Sequence, residues 1–217
     1  MGRLKMSEKC CEVVLYLGIS CELDGMAFCG SGIVPKSGQA LLSKWWYSGQ
    51  VSVDSLIAEV QIYLNNFCQN IIDKIGHNYR YYFHVFTISE SNLLKKEFSE
   101  LTVKTTKKVW IECLDIEPIV SEKDGLTLII SAINDEKLIC DTGVDFDPIQ
   151  KELDWFLGEQ EPKLSPLLKA INYSLGEMLY RHRSDQLPEI ENPRRVMDRM
   201  AAITQATYYL VQGYRGW

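Results

Sequence analysis

The sequence predicts an α/β protein built on one mixed sheet, and three observations carry that expectation. Three apolar, aromatic-rich segments between residues 12 and 47 are separated only by short turns, as in an antiparallel meander. After residue 50, helix-period and strand-period segments alternate, so the later strands need crossovers and parallel partners. The last third, from Pro148 onward, reads as helices.

Glu12 to Ser20 is dense in Val, Leu, Ile and Tyr, the pattern of a mostly buried strand. Asp24-Gly25 marks a hairpin, because glycine tolerates positive φ. Met26 to Val34 follows as a second strand, in which Gly30 and Gly32 permit a bulge or a close backbone approach. Pro35-Lys36-Ser37-Gly38 is a turn, and Ala40 to Tyr47 a third strand ending in Trp45, Trp46 and Tyr47.

A helix starts at Ser52 or Asp54, whose side-chain oxygens can accept an orphan backbone N–H. Leu56, Val60, Leu64, Phe67 and Ile71 hold its period, and Gly76 stops it. Tyr79 to Ile88 is a strand, Ser91 to Leu101 a short amphipathic helix, and Lys108 to Leu114 a further strand. Beyond Pro118, Leu126 to Ala132 and Lys137 to Cys140 read as a hairpin around Asn134-Asp135. Pro148 to Leu157 is helical. Ser165-Pro166 opens a second late helix with an apolar stripe at Leu167, Leu168, Ile171, Leu175, Met178 and Leu179. Asn192-Pro193 opens a third, running to Gly213. Residues 1–117 are expected to form the core, and 118–217 a hairpin and helical part of the same domain.

The 217 residues suit such a unit, with 46% hydrophobic and 24% charged. The net charge of −6 gives no bulk attraction to nucleic acid or to an anionic membrane, so either contact needs a local basic patch. Residues 115 to 161 carry 13 acids against 3 lysines and should repel polyanions. No apolar run reaches bilayer length, and no membrane partner is expected. Glu8 and Glu12 interrupt the early apolar run, which reads as mature protein rather than a signal peptide. The seven cysteines include no Cys-x-x-Cys pair, and the histidines are scattered. Reduced, mostly buried thiols in a cytoplasmic, intracellular protein are expected, with no zinc site.

Neither a phosphate-cradling Gly-x-x-x-x-Gly-Lys loop nor a Gly-x-Ser-x-Gly nucleophile turn occurs. The stretch Gly18-Ile19-Ser20-Cys21-Glu22-Leu23-Asp24-Gly25-Met26-Ala27-Phe28, within the order strand, strand, strand, helix, strand, helix, strand, resembles the ribonuclease H-like fold. Holliday-junction resolvases, transposases, Argonaute PIWI domains and actin-like ATPase halves share that fold. The resemblance spans residues 12 to 114. It implies a meander followed by parallel strands with crossover helices. It also implies a magnesium-ligating aspartate near the end of the first strand. Ser20 stands there instead, and a neutral hydroxyl is a poor ligand for a hard divalent ion.

The expected function is therefore a non-catalytic, degenerate member acting within a nucleic-acid-processing or defence complex, with no cofactor. One alternative is an active magnesium-dependent nuclease with relocated carboxylates: Asp24, Glu90 and Asp198, with Glu22 beside Asp24 in the turn. A second alternative is a protein-binding scaffold that never touches nucleic acid. Arg181, Arg183, Arg194, Arg195, Arg199 and Arg215, interleaved with tyrosines, form the candidate nucleic-acid face, since arginine forks hold phosphate and aromatic rings stack on bases. Trp45, Trp46, Tyr214 and Trp217 are the candidate protein anchors. His84 reads as a satisfied sheet histidine.

Overall fold

The computed structural model describes residues 9–34, 37, 39–50, 52–90, 109–158 and 163–183. The expected helices at Ser91 to Leu101 and from Asn192 onward lie outside them. Strand β1 (Lys9–Glu22) turns through Leu23-Asp24 into β2 (Gly25–Ile33), which leads to β3 (Ala40–Ser48). Helix α1 (Val53–Ile75) follows, then β4 (Tyr79–Ile88) and β5 (Val109–Asp115). The rest comprises α2 (Glu122–Asn134), β6 (Leu138–Cys140), α3 (Asp147–Gly158), α4 (Pro166–Ile171), a π-helical turn (Asn172–Gly176) and α5 (Glu177–Arg183).

These strands form one sheet in the order β5-β4-β1-β2-β3-β6. The β1-β2-β3 meander is antiparallel, while β4 joins β1, and β5 joins β4, in parallel. An antiparallel meander followed by parallel strands is the arrangement expected of the sequence. Local chemistry explains the boundaries. Ser52 caps α1 by accepting from the Ser55 amide, and Gly76, at φ 108°, ends it. Ser165 caps α4 with Pro166 in the first turn. The register of β2 and β3 shifts between Gly30 and Ser31. There the hydroxyl of Ser43 donates to the Gly30 carbonyl at 2.9 Å and meets the Tyr63 hydroxyl at 2.5 Å.

Side chains alternate across β1 and divide the core. Leu15, Leu17 and Ile19 pack with Phe28 and Val85 against Leu56, Val60 and Leu64 of α1. Tyr16 faces the opposite side, where Phe86 and Ile88 meet Leu126, Ile129, Leu168, Ile171 and Leu175. On that side Gly18 is a point of backbone contact. A β-carbon there would come closer than 3.0 Å to the Ala170 carbonyl oxygen and the Ser174 amide nitrogen. The Ser174 hydroxyl donates to the Tyr16 carbonyl at 2.9 Å and lies 2.7 Å from the Ser31 hydroxyl, which fixes the helix along the strand.

Further along, Glu177 is fully buried. One carboxylate oxygen accepts from the Ile119 and Val120 amides at 2.6 and 2.8 Å. The other accepts from Arg181 Nε at 3.0 Å, and the same guanidinium donates to the Glu117 carbonyl at 2.7 Å. This cluster straps the segment before α2 to α5. All seven cysteines are free, and burial pushes the Cys29 and Cys68 thiols up to about 12. Among the described residues no helix is long and apolar enough to cross a membrane.

One expected element is overturned. Residues 126–132 are not half of a hairpin but lie inside α2. Ser121 caps that helix by accepting from the Asp124 amide at 3.1 Å, and Leu126, Ile129 and Ala132 bury one face. Cap and helical-period burial outweigh the β propensity of the Leu-Ile-Ile run. Strand β6 pairs in parallel with β3, placing Leu138 opposite Ala40.

Gly18→Ala is expected to lower the urea midpoint by an amount equivalent to about 1–3 kcal/mol or more, because backbone atoms of the facing helix cannot yield. Glu177→Ala should cost about 3–5 kcal/mol in the same titration, since it leaves Arg181 buried without its partner.

Candidate functional site

The carboxyl ends of two parallel neighbours define the site. Gly18 on β1 is level with Ile88 on β4, so Ser20 and Glu22 lie beside Ser89 and Glu90. Glu22 is the last residue of β1 and not part of the turn as expected, which puts it on the face of Gly18 and Ser20. Helix 166–183, seated on Gly18, brings Lys169 and Tyr173 over this end of the sheet. Ile19, Ser20, Cys21, Glu22, Ser89, Glu90 and Tyr173 line a small cleft there.

Ion pairs dominate the rim. Lys169 Nζ lies 2.5 Å from Glu22 Oε1 and 3.6 Å from Glu122 Oε1 in the first turn of α2. Lys163 Nζ lies 3.8 Å from Glu22 Oε2 and 3.2 Å from Asp24 Oδ2. Lys163 is largely exposed, and its pairs are correspondingly weak. Lys169 is mostly covered. Burial opposes its charge, but the hydrogen bond to Glu22 and the charges of Glu122, Glu22 and Glu90 outweigh that and hold the ammonium above its ordinary pKa. Burial, then the hydrogen bond to the Glu90 carboxylate and its charge, then Glu122 and Glu22, push the Tyr173 hydroxyl up, so it stays protonated.

Of the expected carboxylates, Glu22 and Glu90 meet at this cleft. Asp24 sits out on the hairpin turn, paired with Lys163. Asp198 lies outside the described residues. Ser20 is buried at 4% exposure, and each oxygen of Glu22 faces an ammonium. Among the described residues no three His, Cys, Asp or Glu side chains are placed to hold a metal ion. The donor set present does not fit a divalent ion, which needs several free, charged oxygens at one point.

Arg181 is turned inward at 6% exposure onto Glu177, so it cannot belong to a phosphate-binding surface. Arg183 is exposed at the end of α5. Arg194, Arg195, Arg199, Arg215, Tyr214 and Trp217 lie outside the described residues. Trp45 and Trp46 serve the fold on opposite faces of the sheet rather than standing out as anchors. Trp45 donates to the Asp145 carbonyl at 2.7 Å, and Trp46 stacks on Phe28 at 6.0 Å. His84 is buried beside Glu112 at 3.3 Å and Glu12 at 3.9 Å, as a sheet histidine with acidic neighbours.

Sequence reasoning missed Lys169, Tyr173 and Glu122. The first left a signal: a single lysine inside the apolar run Leu167-Leu168-Lys169-Ala170-Ile171. Glu122 was hidden because α2 reads as β-prone.

Neither a protein-family model nor a curated protein matches the sequence. Solved structures similar to the chain include two nucleic-acid enzymes by their names. The yeast mitochondrial Holliday junction resolvase has a TM-score of 0.44 and 13% identity, covering 82% of both chains. The human cytomegalovirus terminase nuclease domain has a TM-score of 0.48 and 11% identity, covering 79% of this chain and 83% of its own.

Lys169→Met is expected to lower stability by about 1–2 kcal/mol near neutral pH. The raised lysine contributes fully below its unfolded value of about 10.4 and loses its contribution as pH rises through the higher folded value. Urea titrations of both proteins between pH 7 and 11 should therefore give a constant gap that narrows only at the alkaline end.

Proposed function

We propose that this chain is a ribonuclease H-like protein without nuclease catalysis, working as a non-catalytic component of a nucleic-acid-processing or defence assembly. One observation carries the reading. Where the first strand would have to present a charged oxygen to a divalent ion, it presents buried Ser20, and the carboxylate two residues on is bound by Lys169. Hydrolysis assisted by two metals needs carboxylates free to converge, and here Glu22, Asp24 and Glu122 are engaged by ammonium groups. A partner protein is supported by the exposed ring of Trp110 on edge strand β5 and by exposed Trp155 and Leu157 on α3. Nucleic-acid contact falls to the remaining arginines, from Arg183 through Arg194, Arg195 and Arg199 to Arg215.

The test is a labelled four-way junction and a labelled single strand incubated with the protein in magnesium or manganese. The expected outcome is no cleavage, with salt-sensitive retention of the strands that Arg194→Ala with Arg195→Ala weakens. Cleavage abolished by Glu22→Gln or Glu90→Gln would overturn the non-catalytic reading. Absence of any retention would leave a protein-only scaffold.

A further inference from the structure

We infer that His84, Glu12 and Glu112 form a proton-binding clasp, in which a charged imidazole ties edge strand β5 to β1, and that release of the proton loosens β5. The inference goes beyond the non-catalytic reading and concerns another part of the sheet. Val14 on β1, His84 on β4 and Glu112 on β5 are level with one another. Alternation puts Glu12, His84 and Glu112 on the face that carries Tyr16, Phe86 and Leu114, displaced from the cleft toward the amino ends of the strands. The His84 side chain is 4% exposed, that of Glu12 12% and that of Glu112 29%. His84 Nδ1 lies 3.3 Å from Glu112 Oε2, and Nε2 lies 3.9 Å from Glu12 Oε2.

The two carboxylates address opposite edges of one ring, and that decides its protonation. A neutral imidazole carries one N–H and one lone pair. Whichever tautomer formed, the lone pair would face a carboxylate oxygen. The imidazolium carries an N–H on both edges and meets both acids with the right sign. Burial opposes its charge, but two opposite charges within about 4 Å outweigh that, and a covered Glu12 without a cation would itself be costly. Because the acids take opposite edges, the three groups share no point for a metal ion. Among the other described groups on this face, Arg80 lies four residues before His84, level with Cys10, and Tyr82 stands between. From the helix, Arg181 is committed to Glu177, and the His182 ring lies 6.4 Å from that of Tyr16. The clasp matters most for β5, which among the described strands is paired with β4 alone. Glu112 follows two residues after Trp110, the exposed ring level with Tyr82. With the proton gone, Glu12 and Glu112 repel each other across a neutral ring, and the more exposed Glu112 turns to water. The strand that displays Trp110 is then held firmly while His84 is charged and loosely once it is neutral.

The proton alone is the probe, followed through the histidine ring resonances of the folded protein from about pH 5 to about pH 10. His84 is expected to titrate at least about one unit above the ordinary histidine value of about 6.5, and Glu112→Gln should lower that midpoint. A group raised in this way stabilises fully below its unfolded value and loses its contribution as pH rises through the folded one. The folding constant of the wild type relative to His84→Gln, from urea titrations, should therefore fall at least about tenfold between about pH 6 and about pH 9. Over the same window, amide protection in β5 relative to that in β2 and β3 should fall in the wild type and stay constant in His84→Gln. If His84→Gln does not fold, the wild-type ring titration and protection ratio decide the matter. The inference is overturned by a His84 midpoint at or below about 6.5, by one that Glu112→Gln leaves unchanged, or by a β5 protection ratio that ignores pH. No nucleic acid enters these measurements, so a failure to retain oligonucleotides would not bear on them.

Discussion

The meeting of helix backbone and strand backbone at Gly18 is the constraint on which the rest of this structure depends. Most helices stand off a sheet by the length of a side chain. Here Ala170 and Ser174 rest where a β-carbon would be, and the Ser174 hydroxyl bonds to the Tyr16 carbonyl in the strand beneath. That proximity sets the height of Lys169 above Glu22 and of Tyr173 above Ser20. A helix held higher would leave a flexible lysine reaching toward the strand from solvent. It also makes the core on this side shallow and dense, because the helix buries nearly all its faces between sheet and α2.

The second support is polar. Glu177 and Arg181 tie the segment from Glu117 to Val120 onto α5, and so decide where α2 begins. Glu122 is the first residue of that helix, and its reach toward Lys169 follows from this strap. The same buried pair explains why arginine content in this region overstates the surface charge: one of the arginines works inside the fold. Asn172 completes the junction by filling the gap between Gly125 of α2 and Gly176.

The sheet was legible because period and punctuation agreed. Asp24-Gly25, Gly76 and Ser165-Pro166 each mark a boundary within a residue or two of the observed one, and β4 begins and ends at Tyr79 and Ile88 as read. The α2 segment was not legible, because Leu126 to Ile130 favours a strand locally and becomes helical through a cap and a tertiary face. The site was half legible. Ser20 and Glu90 were singled out from their places at the end of one strand and just after another, and both line the cleft. Lys169 and Glu122 join the cluster through contacts between residues 47 positions apart, which no local window reveals.

The π-helical turn divides one continuous helix into two working segments. The Glu177 amide bonds back to the Asn172 carbonyl, five residues earlier, so the turn holds more residues than an α-helical one. A surplus residue advances the phase by about 100°. The preceding half can thus aim Lys169 at the strand ends, while the following half aims Glu177 and Arg181 at the strap. In an uninterrupted α-helix these two directions would be locked together. The widened turn works as a slip joint that frees each half to take the orientation its own neighbours demand.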